Sequence, residues 1–317
     1  MLKDIYRDLS SGSMPLKKRL KKLGTIEIGT VESTPVVWND RLLIFEAFRE
    51  KRHAMMEKTG DHVAEYRFLD LESGEETPHF APHHEYGCCY AENGKMYVHG
   101  CRKGGRFIDT YVSEDLVHWE EAVALEFPEG MTVFNTSVCK GPDGYIMAIE
   151  IGGKHPMVGV PFTIIFAKSD DLLHWEFLPM EDHIYSQDRY TACPVIRYYG
   201  GYYYMIYLEL MEHCFRLIPF IVRSKDLSEF EMAVDNPVLF YSDEDKQLLY
   251  PERFSEEQAA FIRNAVDINN SDVDLCEYNG KTVIVYSWGN QMGVEFLALA
   301  EYEGTEKEFL ESFFARK

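Results

Sequence analysis

Short apolar runs recur along this chain, each broken by a turn-forming pair and followed by a second run rich in Tyr, Ile, Val or Met. Five such stretches stand out: "STPVVWNDRLLIFEAF" (33–48), "YGCCYAENGKMYVHG" (86–100), "NTSVCKGPDGYIMAIE" (135–150), "ACPVIRYYGGYYYMIYLE" (192–209) and "SDVDLCEYNGKTVIVYSWG" (271–289). The Asn and Gly residues at the breaks supply the positive φ that tight hairpin turns need, so each stretch predicts two antiparallel strands. A third β-rich run follows each hairpin. In three units it ends in one signature, "SEDLVHWEEA" (113–122), "SDDLLHWEFL" (169–178) and "SKDLSEFEMA" (224–233). Their spacing of about 55 residues marks a repeat architecture. Within the signature, Ser and Asp are suited to accept backbone N–H bonds and close a turn, while Leu and the aromatic tuck beneath it. It therefore reports on the fold and is not a site.

Repeated strand–strand–strand–turn units predict an all-β chain, a five-bladed β-propeller over residues 25–317. A parallel α/β fold would need crossover helices, and the units leave no room for them. The segment "GTIEIGTVE" (24–32) is placed to supply the last strand of blade five and close the ring. Residues 241–264 read as an excursion between blades four and five, with a short helix over 255–264. Residues 1–24 read as a separate helical extension. Leu16, Leu20 and Leu23 share one face, with Pro15 at its start and Gly24 at its end. Such a helix docks on the propeller or on a second subunit, giving a homodimer.

Charge and cysteine usage narrow the partners. A net charge of −21 on 317 residues argues against nucleic acid and against anionic membrane surfaces. Seven cysteines without metal-type spacing read as reduced thiols packed in the core. The N-terminus carries no apolar leader, which predicts a cytoplasmic protein.

Five units with "S-x-D-L-x-x-W" after the third strand, and hairpins of the "NG-K-x-Y" kind, resemble the five-bladed propeller glycoside hydrolases. That clan includes families 43, 32, 62 and 117, with the related mannoside phosphorylases of family 130. The basic segment before blade one is similar to the N-terminal extension of family 117. The resemblance implies a glycosidase acting on a short oligosaccharide, with acidic residues from several blades facing a central funnel. A phosphorylase of the same fold and a catalytically silent sugar-binding propeller are the alternatives. The clan usually places an Asp base before a Pro on blade one. Here "ESTPVV" puts Thr34 at that position, and Glu32 is the nearest carboxylate.

Glycosidic cleavage needs one group to protonate the leaving oxygen and a carboxylate to activate water or attack carbon. Polar residues at the starts of the inner strands are the natural candidates. Asp188, in "QDRYTACPVI", ranks first, with Arg189 beside it to bind carboxylate or hydroxyl groups. Asp272 and Asn270 come from the polar run "DINNSDVD", and Glu32 from blade one. Glu46, Glu150 and Glu209 each end an apolar second strand, where burial would raise a carboxyl pKa toward that of a general acid. Glu209 leads into "ELMEHC", where His213 is an alternative acid. The catalytic set is thus Asp188, Glu209, His213, Asp272 and Glu32. The substrate-binding set is His84, Glu85, Asn135, Glu150, Arg189, Asn270 and Trp288. The spacing in "HFAPHHEYG" matches no zinc motif. The chemistry requires no cofactor, and a divalent cation in the central channel is compatible with it.

Overall fold

The computed structural model describes residues 20–50, 64–102, 104–211, 215–290 and 294–314. Among them, β1 (Lys21–Ile28) precedes blade one, which consists of β2 (Thr34–Trp38), β3 (Arg41–Phe48) and β4 (Glu65–Asp70). Blade two holds β5 (His84–Glu92), β6 (Lys95–Arg102), β7 (Phe107–Ser113) and β8 (Glu120–Glu126). Blade three holds β9 (Met131–Gly141), β10 (Gly144–Gly153), β11 (Thr163–Ser169) and β12 (Glu176–Phe177), with β13 (Ile184–Tyr185) also on β11. Blade four holds β14 (Thr191–Tyr199), β15 (Tyr202–Met211), β16 (Arg216–Ser224) and β17 (Phe230–Met232). Blade five holds β18 (Asn269–Tyr278), β19 (Lys281–Gly289) and β20 (Glu295–Tyr302). Pairing within every sheet is antiparallel. The first strands of the blades, β2, β5, β9, β14 and β18, touch one another in turn and complete a ring around the axis. This is the five-bladed propeller that the repeat predicts.

Adjacent sheets bury their apolar faces against each other. Phe45, Tyr66 and Phe68 of blade one meet Met96, Val98 and Tyr111 of blade two. Leu42 and Ile44 on the other face meet Val285, Leu297 and Leu299 of blade five. The ring is closed by β1, which pairs with β20 as the fourth strand of blade five. Lys22 pins that closure, donating to Asp245 Oδ2 at 2.8 Å, the Phe240 carbonyl at 2.7 Å and Asn270 Oδ1 at 2.9 Å.

The expected helical extension needs correction at its end. Residues 1–19 lie outside the described residues, but Lys21–Gly24 belong to strand β1. Lys22 faces Ala300 and Gly24 faces Leu299, so ladder bonds to β20 override the helical spacing of the leucines. The excursion contains the expected helix, α1 (Glu256–Asn264), capped by Ser255, whose hydroxyl accepts from the Gln258 N–H. A second helix, α2 (Glu306–Ser312), takes the place of the signature in blade five.

The signature works as turn chemistry. Ser113 Oγ accepts from Leu116 N–H at 2.8 Å, and Asp115 Oδ1 accepts from Val117 and His118 N–H at 2.9 and 2.8 Å. Ser169–Asp171 and Ser224–Asp226 repeat the pattern. Leu116, Leu172 and Leu227 each adopt positive φ and bury their side chains.

Candidate active site

Four of the five inner strands carry a β-bulge near their N-terminal ends. The register slips between His84 and Tyr86 in β5, opposite Glu150 where β9 meets β10, between Ala192 and Val195 in β14, and between Ser271 and Asp274 in β18. A bulge leaves a residue outside the ladder and re-aims its side chain. Here those residues include Glu85, Asn135, Cys193 and Asp272. Cys193 and Asp272 both take φ of 48°, a conformation that L-residues hold only under constraint. Glu32 (φ 58°) arrives from the connection before β2. Glu32, Asn135, Cys193 and Asp272 line one hollow on the axis, together with Ser33, Thr34, Gly87 and Thr136.

Asn135 ties the acids together. Its Nδ2 donates to Glu32 Oε1 at 3.2 Å and to Glu150 Oε2 at 2.9 Å, and lies 3.5 Å from Cys193 Sγ. The Cys193 backbone N–H donates to the same Glu150 oxygen at 2.8 Å. Ser271 Oγ donates to Asp272 Oδ2 at 2.7 Å. Arg49 stands 3.9 Å from Glu32 Oε2. Burial, then the charge of Asp272, push the Glu32 carboxyl up to about 8, against the pull of Arg49 and of the Asn135 amide. Burial likewise pushes Glu150 up to about 7, although the Cys193 N–H and Asn135 favour its charged form. Burial and neighbouring acids also hold the Cys193 thiol well above its usual range, so it is a neutral group.

Aromatic rings follow one another beside the acids. Tyr86, Phe134, Phe162 and Tyr190 meet edge to face in sequence, with centroids 5.4, 5.0 and 5.4 Å apart. Burial raises both tyrosine phenols, helped by Glu32 at Tyr86 and by Cys193 and Glu150 at Tyr190. Both therefore remain hydrogen-bond donors. The arrangement pairs carboxyl groups with rings able to stack on the apolar face of a sugar.

Of the candidates from sequence, Glu32, Asn135, Glu150 and Asp272 come together here, and Glu85 lies buried at the bulge of β5. The others lie elsewhere. Asp188 is a turn residue whose side chain is 85% exposed, held by the Ser186 hydroxyl at 3.0 Å and by Arg189 at 3.4 Å. Blade four reaches the axis further along, at Cys193. Glu209 pairs with Arg189 at 3.4 Å and accepts from Tyr207 Oη at 3.0 Å. His84 is buried in blade two, with Nε2 2.9 Å from Asp109 Oδ2. Asn270 serves the ring closure, between Lys22 and Asp245. Trp288 presents no face to a sugar: it is fully buried, stacked on Phe296 at 4.4 Å, and donates to Thr25 Oγ1. His213 lies outside the described residues. Sequence reasoning missed Cys193, Ser33, Arg49 and the rings of Phe134 and Phe162. Pro194 was the available signal for blade four, because a proline inside a strand marks an edge or a bulge.

Thr34 and Asp274 line both this hollow and a cavity of ≈ 440 Å³ at the other end of the inner strands. There Arg197 is held by Asp274 at 2.6 Å, Glu306 at 3.3 Å and the Leu275 carbonyl at 2.6 Å. Among the described residues no group of three or more His, Cys, Asp or Glu side chains is arranged to hold a metal. Arg223 pairs with Glu231 at 2.7 Å.

No family model and no curated protein matches this sequence. Solved structures do resemble it. One described as a glycoside hydrolase is 13% identical, with a TM-score of 0.62 over 96% of each chain. An α-L-arabinofuranosidase from Clostridium thermocellum is 14% identical, with a TM-score of 0.51 over 81% of each chain. A family 43 endo-arabinanase from Bacillus licheniformis is 10% identical, with a TM-score of 0.52 over 88% of this chain and 96% of its own. At such identities the likeness establishes the fold.

Proposed function

We propose that this chain is a glycoside hydrolase that cleaves a glycosidic bond in a short oligosaccharide, with the axial hollow as its active site. The observation that carries the reading is the bridge from Asn135 to Glu32 and Glu150, beside Asp272. It gathers several carboxyl groups on the axis of a fold whose solved likenesses are described as glycosidases. Glu32, still protonated at neutral pH, gives its proton to the leaving oxygen. Asp272 is the opposing carboxylate, and its charge helps to retain that proton until it is needed. Asn135 fixes the spacing of Glu32 and Glu150 and is a positioning residue. The rings of Phe162 and Tyr190 hold the sugar. The test is release of free sugar from a panel of 4-nitrophenyl glycosides and short oligosaccharides, with and without phosphate. The reading expects phosphate-independent release that disappears in Asp272→Asn. Release only with phosphate, or binding without release, would replace it by the phosphorylase or the silent sugar-binding protein.

A further inference from the structure

The hollow has one feature that the acids do not use. Ser33 follows Glu32, lines the same hollow and is 2% exposed, yet its hydroxyl has no hydrogen-bond partner among the described residues. A buried hydroxyl left unsatisfied costs about 1–3 kcal/mol, so such groups ordinarily meet protein or ordered water. The hollow offers ≈ 30 Å³ to water-sized groups. One water needs about 10–15 Å³ on that measure, and a sugar ring needs far more. A ring must therefore rest above the acids, at the aromatic residues, while something the size of a hydroxyl fits beneath it.

We propose that Ser33 holds the hydrolytic water in this hollow, as a positioning residue of the reaction proposed above. Asp272 lines the same hollow and offers a further acceptor to that water. In the reaction, the water oxygen bonds to the anomeric carbon as the bond to the leaving oxygen breaks. The water's proton passes to Asp272, and Glu32 supplies the proton that the leaving oxygen takes. Ser33 exchanges no proton; it fixes where the water oxygen lies.

Two measurements test this, and they fail separately from the glycosidase reading. A high-resolution crystal structure of the wild-type protein is expected to show an ordered water within hydrogen-bond distance of Ser33 Oγ. An ordered hollow with no such density overturns the inference, whether or not the protein proves active. Kinetically, Ser33→Ala should lower kcat about tenfold, the worth of one hydrogen bond, with KM little changed. In water–methanol mixtures the same variant should send a larger share of product to the methyl glycoside, because water loses its anchored place. A merely structural serine would leave that partition unmoved. An unchanged partition with unchanged kcat, or a fall in kcat explained by lost folded protein, overturns the inference. Absence of sugar release by the wild type overturns the glycosidase reading and leaves the crystallographic test standing.

Discussion

Asp272 and Asp274 leave the same strand two residues apart and meet opposite surroundings. Asp274 points to the end of the axis where Arg197 is clasped, with Glu306 on the guanidinium's other side. Asp272 sits on a bulge at the other end, among Glu32, Glu150 and a neutral thiol. The first end resolves its charges by pairing, which suits a structural core. The second sets acids beside acids, with Arg49 3.9 Å from Glu32 offsetting part of their repulsion. Such crowding costs stability and perturbs their pKa values, as functional sites do. The same contrast runs through the three glutamates at the ends of second strands. Glu46 pairs at 2.5 Å with Arg67, which Glu27 and Glu76 share, and Glu209 faces Arg189, whereas Glu150 accepts from the Asn135 amide and from backbone N–H groups. Position in the repeat is shared; the partner decides the role.

The largest effect should come from the acidic end. Asp272→Asn and Glu32→Gln are expected to lower kcat by about 10²–10⁴, the range for loss of a general acid or base, with circular dichroism unchanged. Retention of kcat by both variants would show that the acid cluster is structural too. At the paired end, Arg197→Met strands Asp274 and Glu306 in a buried setting. Breaking such a pair costs about 3–5 kcal/mol, read by urea denaturation. A variant of wild-type stability would mean that the guanidinium does not hold the axis together.

Proton linkage gives a reading of the acidic end. Glu32 and Glu150 have carboxyls raised from 4.5 to about 8 and about 7. As pH rises past 4.5 the unfolded chain releases these protons while the folded chain keeps them. Their contribution to stability is therefore fully present below pH 4.5 and falls as pH rises towards 8. Glu32→Gln should flatten that fall in denaturation measured from pH 5 to 8, and an unaltered slope would place the titration elsewhere. The smallest effect is expected at Asp188. As an exposed turn residue, Asp188→Asn should leave kcat within about twofold and stability within about 0.5 kcal/mol. A large loss of turnover would return Asp188 to the site and weaken the contrast drawn here.

Much of this molecule is legible in its sequence, because the relevant physics is local. Asn-Gly and Asn-Asp turns, the Ser-x-Asp-Leu closure and the capped helix α1 depend on neighbours within a few residues, so the five units and their order follow from reading along the chain. The strand that closes the ring was likewise visible as an apolar run before blade one. The site was only partly legible. Glu32, Asn135, Glu150 and Asp272 carry the right chemistry near strand starts, but so does Asp188, and Trp288 has the composition of a sugar platform while being core. Which of them reach the axis depends on bulges in β5, β9, β14 and β18, each set by pairing with a strand some ten or more residues away. Which acids keep a proton depends on contacts between blades, such as Asn135 with Glu32. Residue types and repeat spacing were thus enough to determine the architecture, because turns and strand pairs are short-range. Only the tertiary structure decided the site, since burial, bulge direction and the presence of a neutralising arginine are properties of the assembled ring.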